Sequence, residues 1–113
     1  FNFYQTESRE GEGLQIGGHI PFEMVYAWDP YAGFSEEARK HVIGVQCNMW
    51  TEYLKDMATV EKMLLPRLAA MAEVQWSANR RDEATIRERM ESMRKFYEAC
   101  GWNCAPYYFD GRK

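Results

Sequence analysis

One apolar run, VIGVQCN at residues 42–48, limits the folds that are open to this chain. In an extended segment Ile43 and Val45 point to one face and Val42 to the other, so that both faces are apolar. Strands covered on both faces are typical of parallel sheets, in which helices pack on either side. The run therefore predicts a strand over residues 42–48 in an α/β protein.

Helical patterns stand on both sides of this run. Ser35 is followed by acids and then by bases, an order that complements the helix dipole and predicts a short helix before the strand. After Thr59 apolar residues recur every three or four positions until about residues 76–81. Pro66 removes a backbone donor, so we expect a kink or a helix restart near residues 64–65. The predicted apolar stripe consists of Val60, Met63, Leu64, Leu68, Met71, Ala72 and Trp76.

The ends of the chain are expected to frame this core. Phe1 to Gln5 reads as the end of a strand, and residues 16–30 as a long connection with at most one short helical turn, begun by Pro21. The last helix is expected to run from about Asp82 to Gly101, and the aromatic tail after it to fold back.

Composition excludes several classes of function. The chain has 113 residues, the size of one domain, and is 46% hydrophobic with a formal charge of -3. No basic block is present for nucleic acid or for an anionic membrane, and no apolar run approaches the roughly 18 residues of a membrane span. The 3 cysteines and 2 histidines lack the spacing of a metal site, so no metal and no cofactor are expected. Cellular location stays undecided.

Trp50 and Glu52 follow the predicted strand directly. Parallel α/β sheets and barrels place their ligands beyond the carboxyl ends of the strands. Residues two apart project to the same side of an extended backbone, so an indole face and a carboxylate would lie side by side. A sugar ring has C–H bonds on one face for the indole and hydroxyls on its rim for the carboxylate. The alternative is that Trp50 caps the core and Glu52 faces water.

Several phrases, in this order along the chain, resemble one enzyme family. GVQCNMWTEYL at residues 44–54 and VEKMLLPRLAAMAEVQWS at residues 60–77 are similar to the end of the catalytic domain of glycoside hydrolase family 20, the β-N-acetylhexosaminidases. FYQ at residues 3–5, IGG at residues 16–18 and VYAWDP at residues 25–30 also resemble that family.

The resemblance implies a (β/α)8 barrel of which residues 1–113 form the C-terminal portion. A complete barrel needs roughly 250 residues. Phe1 to Gln5 would end the seventh strand, residues 42–48 would form the eighth, and the helix through Pro66 would be the last helix of the barrel. The missing N-terminal part of the barrel would then be the partner of this chain, and without it we expect self-association through exposed strand edges.

The resemblance also implies which residues touch substrate. In the family, the tryptophan of WTE walls the N-acetylhexosamine pocket and the glutamate accepts hydrogen bonds from ring hydroxyls, positions that match Trp50 and Glu52. The family's Tyr-x-Asp-x-x-Gln pattern places an aspartate that binds a sugar hydroxyl where this chain has Asn2. Asn2 is therefore expected to bind the hydroxyl without a charge, and the usual aspartate contact is in question.

The catalytic pair of the family is not expected in this chain. Family enzymes use the acetamide of the substrate as nucleophile, assisted by an Asp-Glu pair on the fourth strand. The only Asp-Glu dipeptide here is Asp82-Glu83, at the start of a charged surface helix. The fragment alone is therefore expected to be inactive, with no catalytic residue of its own. Two alternatives stay open, a carbohydrate-binding module that uses Trp50 and a helical interaction domain.

Other residues are expected to be structural. Glu73, in an apolar helix segment, is expected to be buried and hydrogen-bonded on the outer wall of the barrel. Arg67 is expected to have a similar role. Tyr26, Trp28 and Tyr31 are expected to pack the connection between the last two strands rather than to line a sugar site.

Overall fold

The computed structural model describes residues 1–77 and 81–112. This part of the chain contains helices and a parallel sheet of two short strands, β1 and β2. The strands are β1 (Phe3–Tyr4) and β2 (Ile16–His19). The helices are α1 (Phe22–Ala27), α2 (Glu36–Arg39), α3 (Met57–Leu64), α4 (Arg67–Ser77), α5 (Ile86–Cys100) and α6 (Tyr107–Asp110).

The sheet differs from the one that the sequence predicts. Residues 42–48, all of them described, form no strand, so that prediction is wrong for this chain. A strand needs a neighbouring strand to pair its backbone groups, and the Val45 carbonyl oxygen accepts instead from the Gln75 side chain at 3.0 Å. The strand expected to end near Gln5 is confirmed as β1, but its partner is β2, in residues for which only a connection was expected.

Gly18 permits the close approach of the two strands. Its φ of 132° lies in a region that L side chains rarely adopt, and a Cβ atom there would lie 3.0 Å from the Phe3 ring. The register of the pair is Phe3 with Ile16 and Tyr4 with His19, with an irregularity between them. A side chain at residue 18 would therefore push Phe3 out of place.

Some helix ends lie where the sequence predicts, but α5 begins at Ile86 rather than at about Asp82, and α3 begins at Met57 rather than at Thr59. Ser35 caps α2 by accepting from the Ala38 backbone N–H at 3.2 Å. Gly101, with φ 71°, ends α5 in the left-handed conformation that the predicted stop requires. Asp82 lies four residues before α5 and accepts from the Ala84 N–H at 3.0 Å, so it organises the turn that leads into the helix.

The apolar stripe is broken at Pro66, as expected. α3 ends at Leu64 and α4 begins at Arg67. The sequence predicts one continuous buried stripe, but Leu68 is 42% and Trp76 is 88% exposed. The helix that restarts after Pro66 therefore buries a different face from the predicted one. The expected end of this helix, in residues 76–81, falls partly outside the described residues. The buried residues of α4 are Arg67, Ala70, Met71 and Val74.

A core forms where α1, α4 and α5 meet. The tail folds back over this core, as expected. The ring centroids of Tyr108 and Phe22 lie 4.1 Å apart, and the Ala105 N–H donates to the Leu65 carbonyl at 3.1 Å. Burial of these side chains is the main favourable term in the folding of the chain. The core residues are Phe22, Val25, Tyr26, Ala70, Met71, Ile86 and Met90.

Arg67 connects the two strands to the break between α3 and α4. Its side chain is 0% exposed, and its guanidinium donates to the carbonyls of Phe1 at 2.6 Å, Phe3 at 3.0 Å, Ile20 at 3.0 Å and Met63 at 2.5 Å. Burial lowers the pKa of Arg67 to about 10, a value at which the group is still charged at neutral pH. A planar fork of five donors fits four carbonyls as no other side chain does.

Replacing Arg67 by methionine should lower the free energy of unfolding by at least about 3 kcal/mol, because four backbone carbonyls lose a donor in a buried site. Urea unfolding of the full-length protein measures the change. Arg67→Lys should be almost as destabilising, since one ammonium cannot reach all four oxygens. The control is Arg87→Met on the exposed face of α5, where one bond of 3.4 Å to the Phe109 carbonyl is lost. Equal effects at the two sites would contradict the role of Arg67.

Glu12, Lys62 and Tyr107 form a second, half-buried cluster. The Lys62 ammonium lies 2.8 Å from one Glu12 carboxylate oxygen, and the Tyr107 hydroxyl donates to the same oxygen. Burial by itself would lower the pKa of Lys62, but hydrogen bonds to Glu12 and Tyr107 outweigh it and raise that pKa. Burial, and then the bond to Glu12, raises the pKa of Tyr107. The folded state thus favours the protonated form of both groups.

Stability from this cluster should disappear at alkaline pH. A group whose pKa is raised on folding stabilises the folded state fully at a pH below its unfolded pKa, which is about 10 for Tyr and 10.4 for Lys. That stabilisation is lost as the pH rises through the folded pKa. Glu12→Gln should lower the free energy of unfolding by about 1 kcal/mol at pH 8, and the difference from the unsubstituted protein should shrink by pH 11. Urea unfolding at both pH values tests this, and a difference that grows with pH would contradict it.

Candidate functional site

The segment after residue 48 exposes Trp50. Its side chain is 59% exposed, and the residue belongs to no helix or strand of the described chain. Its backbone is held by the Asn2 side chain, whose Oδ1 accepts from the Trp50 N–H at 2.7 Å and whose Nδ2 donates to the Trp50 carbonyl at 2.5 Å. The indole therefore projects from a backbone that is fixed at both polar groups. This exposure disagrees with a role for Trp50 as a cap of the core.

Asn2 is buried beneath the surface that Trp50 presents. It is 6% exposed, and the carbonyl oxygens of its neighbours Phe1 and Phe3 both accept hydrogen bonds from the Arg67 guanidinium. The structure thus brings together two of the three expected site residues, Asn2 and Trp50. The amide of Asn2 faces the Trp50 backbone, so its direct contact with a sugar hydroxyl stays a prediction.

Glu52 lies beyond Trp50 and is exposed. It sits in a turn in which the Leu54 N–H donates to the Thr51 carbonyl at 3.2 Å. Both Glu52 and Trp50 are open to solvent, an arrangement that leaves the indole face and the carboxylate free for a ligand. Their joint use in one site stays a prediction.

A cleft of about 400 Å³, lined by both charged and apolar residues, includes Tyr53, the residue after Glu52. It lies between the loop of residues 12–15 and the start of α3, and the Lys62–Glu12 ion pair lines it. Sequence reasoning did not find this cleft. The available signal in the sequence was the charged pair Lys55-Asp56. Asp56 caps α3 by accepting from the Thr59 N–H at 2.8 Å. Hydrogen bonds from the Thr59 hydroxyl and then from its N–H lower the pKa of Asp56.

The link from Arg67 to the site was also missed. The sequence assigned Arg67 a structural role, which its complete burial confirms, but gave no sign that its acceptors flank Asn2. The available signal was an arginine at the start of an otherwise apolar helix. Such a charge must find hydrogen-bond acceptors when it is buried.

The residues expected to be structural differ in their burial, and the expectation is met by Tyr26 but not by Trp28. Tyr26 is 6% exposed and stacks on Phe22 with ring centroids 6.0 Å apart, although Trp28 is 43% exposed. Glu73 forms an ion pair with Arg89, and it is half-buried rather than buried. Burial raises the pKa of the Cys104 thiol to about 12.

The described residues form neither a metal site nor a membrane-spanning helix. Among residues 1–77 and 81–112, no three His, Cys, Asp or Glu side chains lie close enough to hold a metal ion. Over the same ranges, every helix is too short or too polar to cross a lipid bilayer.

The chain matches the model of one protein family, described as glycosyl hydrolase family 20, catalytic domain, over residues 1–79. A match of this extent places the chain in glycoside hydrolase family 20. The catalytic domain of this family is a TIM barrel. The match includes β1, β2, the Trp50 segment and α4, and it ends before α5 and α6.

Named relatives agree with this assignment. The chain is similar to the β-N-acetylhexosaminidase of Cellulomonas fimi, with 38% identity over 97 residues, which are 83% of this chain and 20% of the relative. It is 37% identical over 67 residues to a β-hexosaminidase of Porphyromonas gingivalis, covering 58% of this chain and 9% of the relative. A β-hexosaminidase of Vibrio furnissii is 31% identical over 70 residues, 60% of this chain and 12% of the relative. The chain thus spans a fifth or less of the length of these relatives.

Proposed function

We propose that this chain is the C-terminal part of the catalytic domain of a β-N-acetylhexosaminidase, which hydrolyses terminal β-linked N-acetylhexosamine from glycans. The observation that carries the proposal is the family match over residues 1–79, together with an indole in the WTE position that is 59% exposed. Trp50 supplies an apolar wall for the C–H face of the sugar. Glu52 supplies a carboxylate, which makes stronger hydrogen bonds to hydroxyls than a neutral acceptor does.

The reaction itself requires residues outside this chain. The family mechanism is substrate-assisted and retaining: the acetamide oxygen of the substrate attacks the anomeric carbon, an aspartate orients the acetamide and a glutamate acts as the general acid. Asp82-Glu83 is not suited to these roles, because Asp82 accepts from the Ala84 N–H at 3.0 Å and from the Thr85 hydroxyl at 2.9 Å in the turn before α5. The chain by itself is therefore inactive in this proposal.

The proposal includes a place for the chain in the barrel. β1 ends the seventh strand, and residues 42–48 take up the eighth strand when neighbouring strands of the barrel pair with them. What supports this is the exposure of two large apolar side chains, Ile43 in that segment at 103% and Trp76 on α4 at 88%. Monomeric proteins seldom expose side chains of this kind in contiguous patches, so the isolated chain is also proposed to self-associate.

Replacing Glu52 by glutamine in the full-length protein should lower kcat/KM on a chromogenic β-N-acetylglucosaminide by more than about tenfold, since the neutral amide accepts a hydroxyl less strongly than the carboxylate. The matched control is Glu88→Gln on the exposed side of α5, which should leave the rate unchanged. Unchanged activity of the Glu52 variant would remove this residue from the sugar site.

The exposure of Trp50 also favours a second function, a carbohydrate-binding module that needs no catalytic residues. Calorimetric titration of the 113-residue chain with N-acetylglucosamine separates the two. Part of a barrel should give no heat of binding by itself. A module should bind, with an affinity lost in Trp50→Ala and kept in Trp76→Ala, because the second tryptophan is even more exposed and lies outside the WTE segment.

A further inference from the structure

The contact between Asn2 and Trp50 uses both polar ends of an amide. Its Oδ1 accepts a hydrogen bond from the Trp50 N–H at 2.7 Å, and its Nδ2 donates one to the Trp50 carbonyl oxygen at 2.5 Å. The two bonds together resemble one step of a strand ladder, made by a side chain instead of a second backbone. A group with a donor on one side and an acceptor on the other is needed to form both.

A carboxylate at the same place cannot make this contact. An ionised carboxyl group only accepts hydrogen bonds, so one of its oxygens would face the Trp50 carbonyl oxygen with no proton between them. Because residue 2 is 6% exposed, water has little access to relieve that repulsion. The asparagine that replaces the aspartate of the family pattern is thus the residue type that this contact requires.

The amide is itself held in place. Arg67 donates to the carbonyl oxygens of Phe1 and Phe3 and thereby fixes the backbone on both sides of Asn2. Trp50, by contrast, belongs to no helix or strand of the described chain, and the Asn2 amide bonds both its N–H and its carbonyl oxygen. The position of the Trp50 backbone, from which the exposed indole projects, is therefore tied to the position of Asn2.

We propose that Asn2 is a positioning residue of the sugar site, which acts through the backbone of Trp50 and does not bind the sugar hydroxyl itself. The inference rests on the proposed function, in which Trp50 forms a wall of the N-acetylhexosamine pocket. It assigns to the amide of Asn2 a task that the carboxylate of the family pattern cannot perform.

The test is Asn2→Asp in the full-length protein, with N-acetylglucosamine affinity measured by calorimetry from pH 7 to pH 4. At pH 7 the affinity should fall about tenfold, since a buried pair of hydrogen bonds is replaced by a repulsive contact. As the carboxyl group becomes protonated it regains one donor and one acceptor, so the affinity should approach that of the unsubstituted protein at the acidic end.

Two controls accompany this series. The charged groups beside Asn2 are the Arg67 guanidinium and the Phe1 amino group, and measuring the unsubstituted protein at each pH cancels every pH effect that does not arise at residue 2. Asn103→Asp is the matched substitution, because Asn103 also donates its amide to a backbone carbonyl, that of Ala58 at 2.8 Å. It should leave the sugar affinity unchanged at every pH.

The competing role gives the opposite result. If Asn2 binds a hydroxyl directly, the aspartate variant should bind the sugar at least as tightly as asparagine at pH 7, because a carboxylate is the stronger acceptor. That outcome would overturn the proposal. An affinity that falls at pH 7 and recovers in acid supports it.

A measurement on the unsubstituted protein decides the matter if the variant fails to fold. Amide hydrogen exchange at Trp50 should be slow, because its N–H donates to a buried acceptor, although the side chain of the residue is exposed. Exchange at the rate of a free peptide would overturn the proposal. Because this measurement needs no sugar, it also separates a failure of the proposed function from a failure of the role of Asn2. An unsubstituted protein that binds no N-acetylglucosamine refutes the proposed function, and the exchange rate then decides whether the contact between Asn2 and Trp50 exists.

Discussion

The structure depends on the hydrogen bonds of one buried cation. Pro66 stops α3 and leaves carbonyl oxygens without backbone donors, and the side chains of Arg67 and Gln5 supply those donors, with Gln5 Nε2 at 2.6 Å from the Lys62 carbonyl. Arg67 then reaches β1 and the residue after β2 with the rest of its fork. Desolvation of the guanidinium is costly, and only a complete set of acceptors offsets it. The helix break and the sheet are therefore one unit.

The candidate sugar site is an extension of this unit. Arg67 fixes the backbone around Asn2, Asn2 fixes the backbone of Trp50, and the indole of Trp50 stands exposed at the end of that series. Each of these contacts involves a backbone N–H or carbonyl group. Every residue type has such groups, so the sequence gives no sign of which ones are paired. The chain belongs to glycoside hydrolase family 20, and in the proposed function the last residue of this series, Trp50, forms a wall of the sugar pocket.

Sequence reasoning succeeded where the cause is local. Ser35 caps a helix, Gly101 ends one, and Pro66 separates two, because capping, left-handed φ and the missing N–H act within a few residues. It failed for the strand at residues 42–48 and overlooked β2. A strand exists only through its neighbour, and the choice of β2 as the partner of β1 depends on Gly18 and on contacts between distant segments.

By itself, the sequence determined the helix ends at Ser35, Pro66 and Gly101, the family and the identity of the exposed pair Trp50 and Glu52, because motifs and local backbone preferences depend on consecutive residues. Only the tertiary structure decided that the Asn2 side chain bonds the backbone of Trp50 and that Arg67 bonds the carbonyl oxygens on either side of Asn2. Those contacts join residues 48 and 64 or more positions apart, and the free energy of a buried polar group is set by whichever acceptors the fold brings to it.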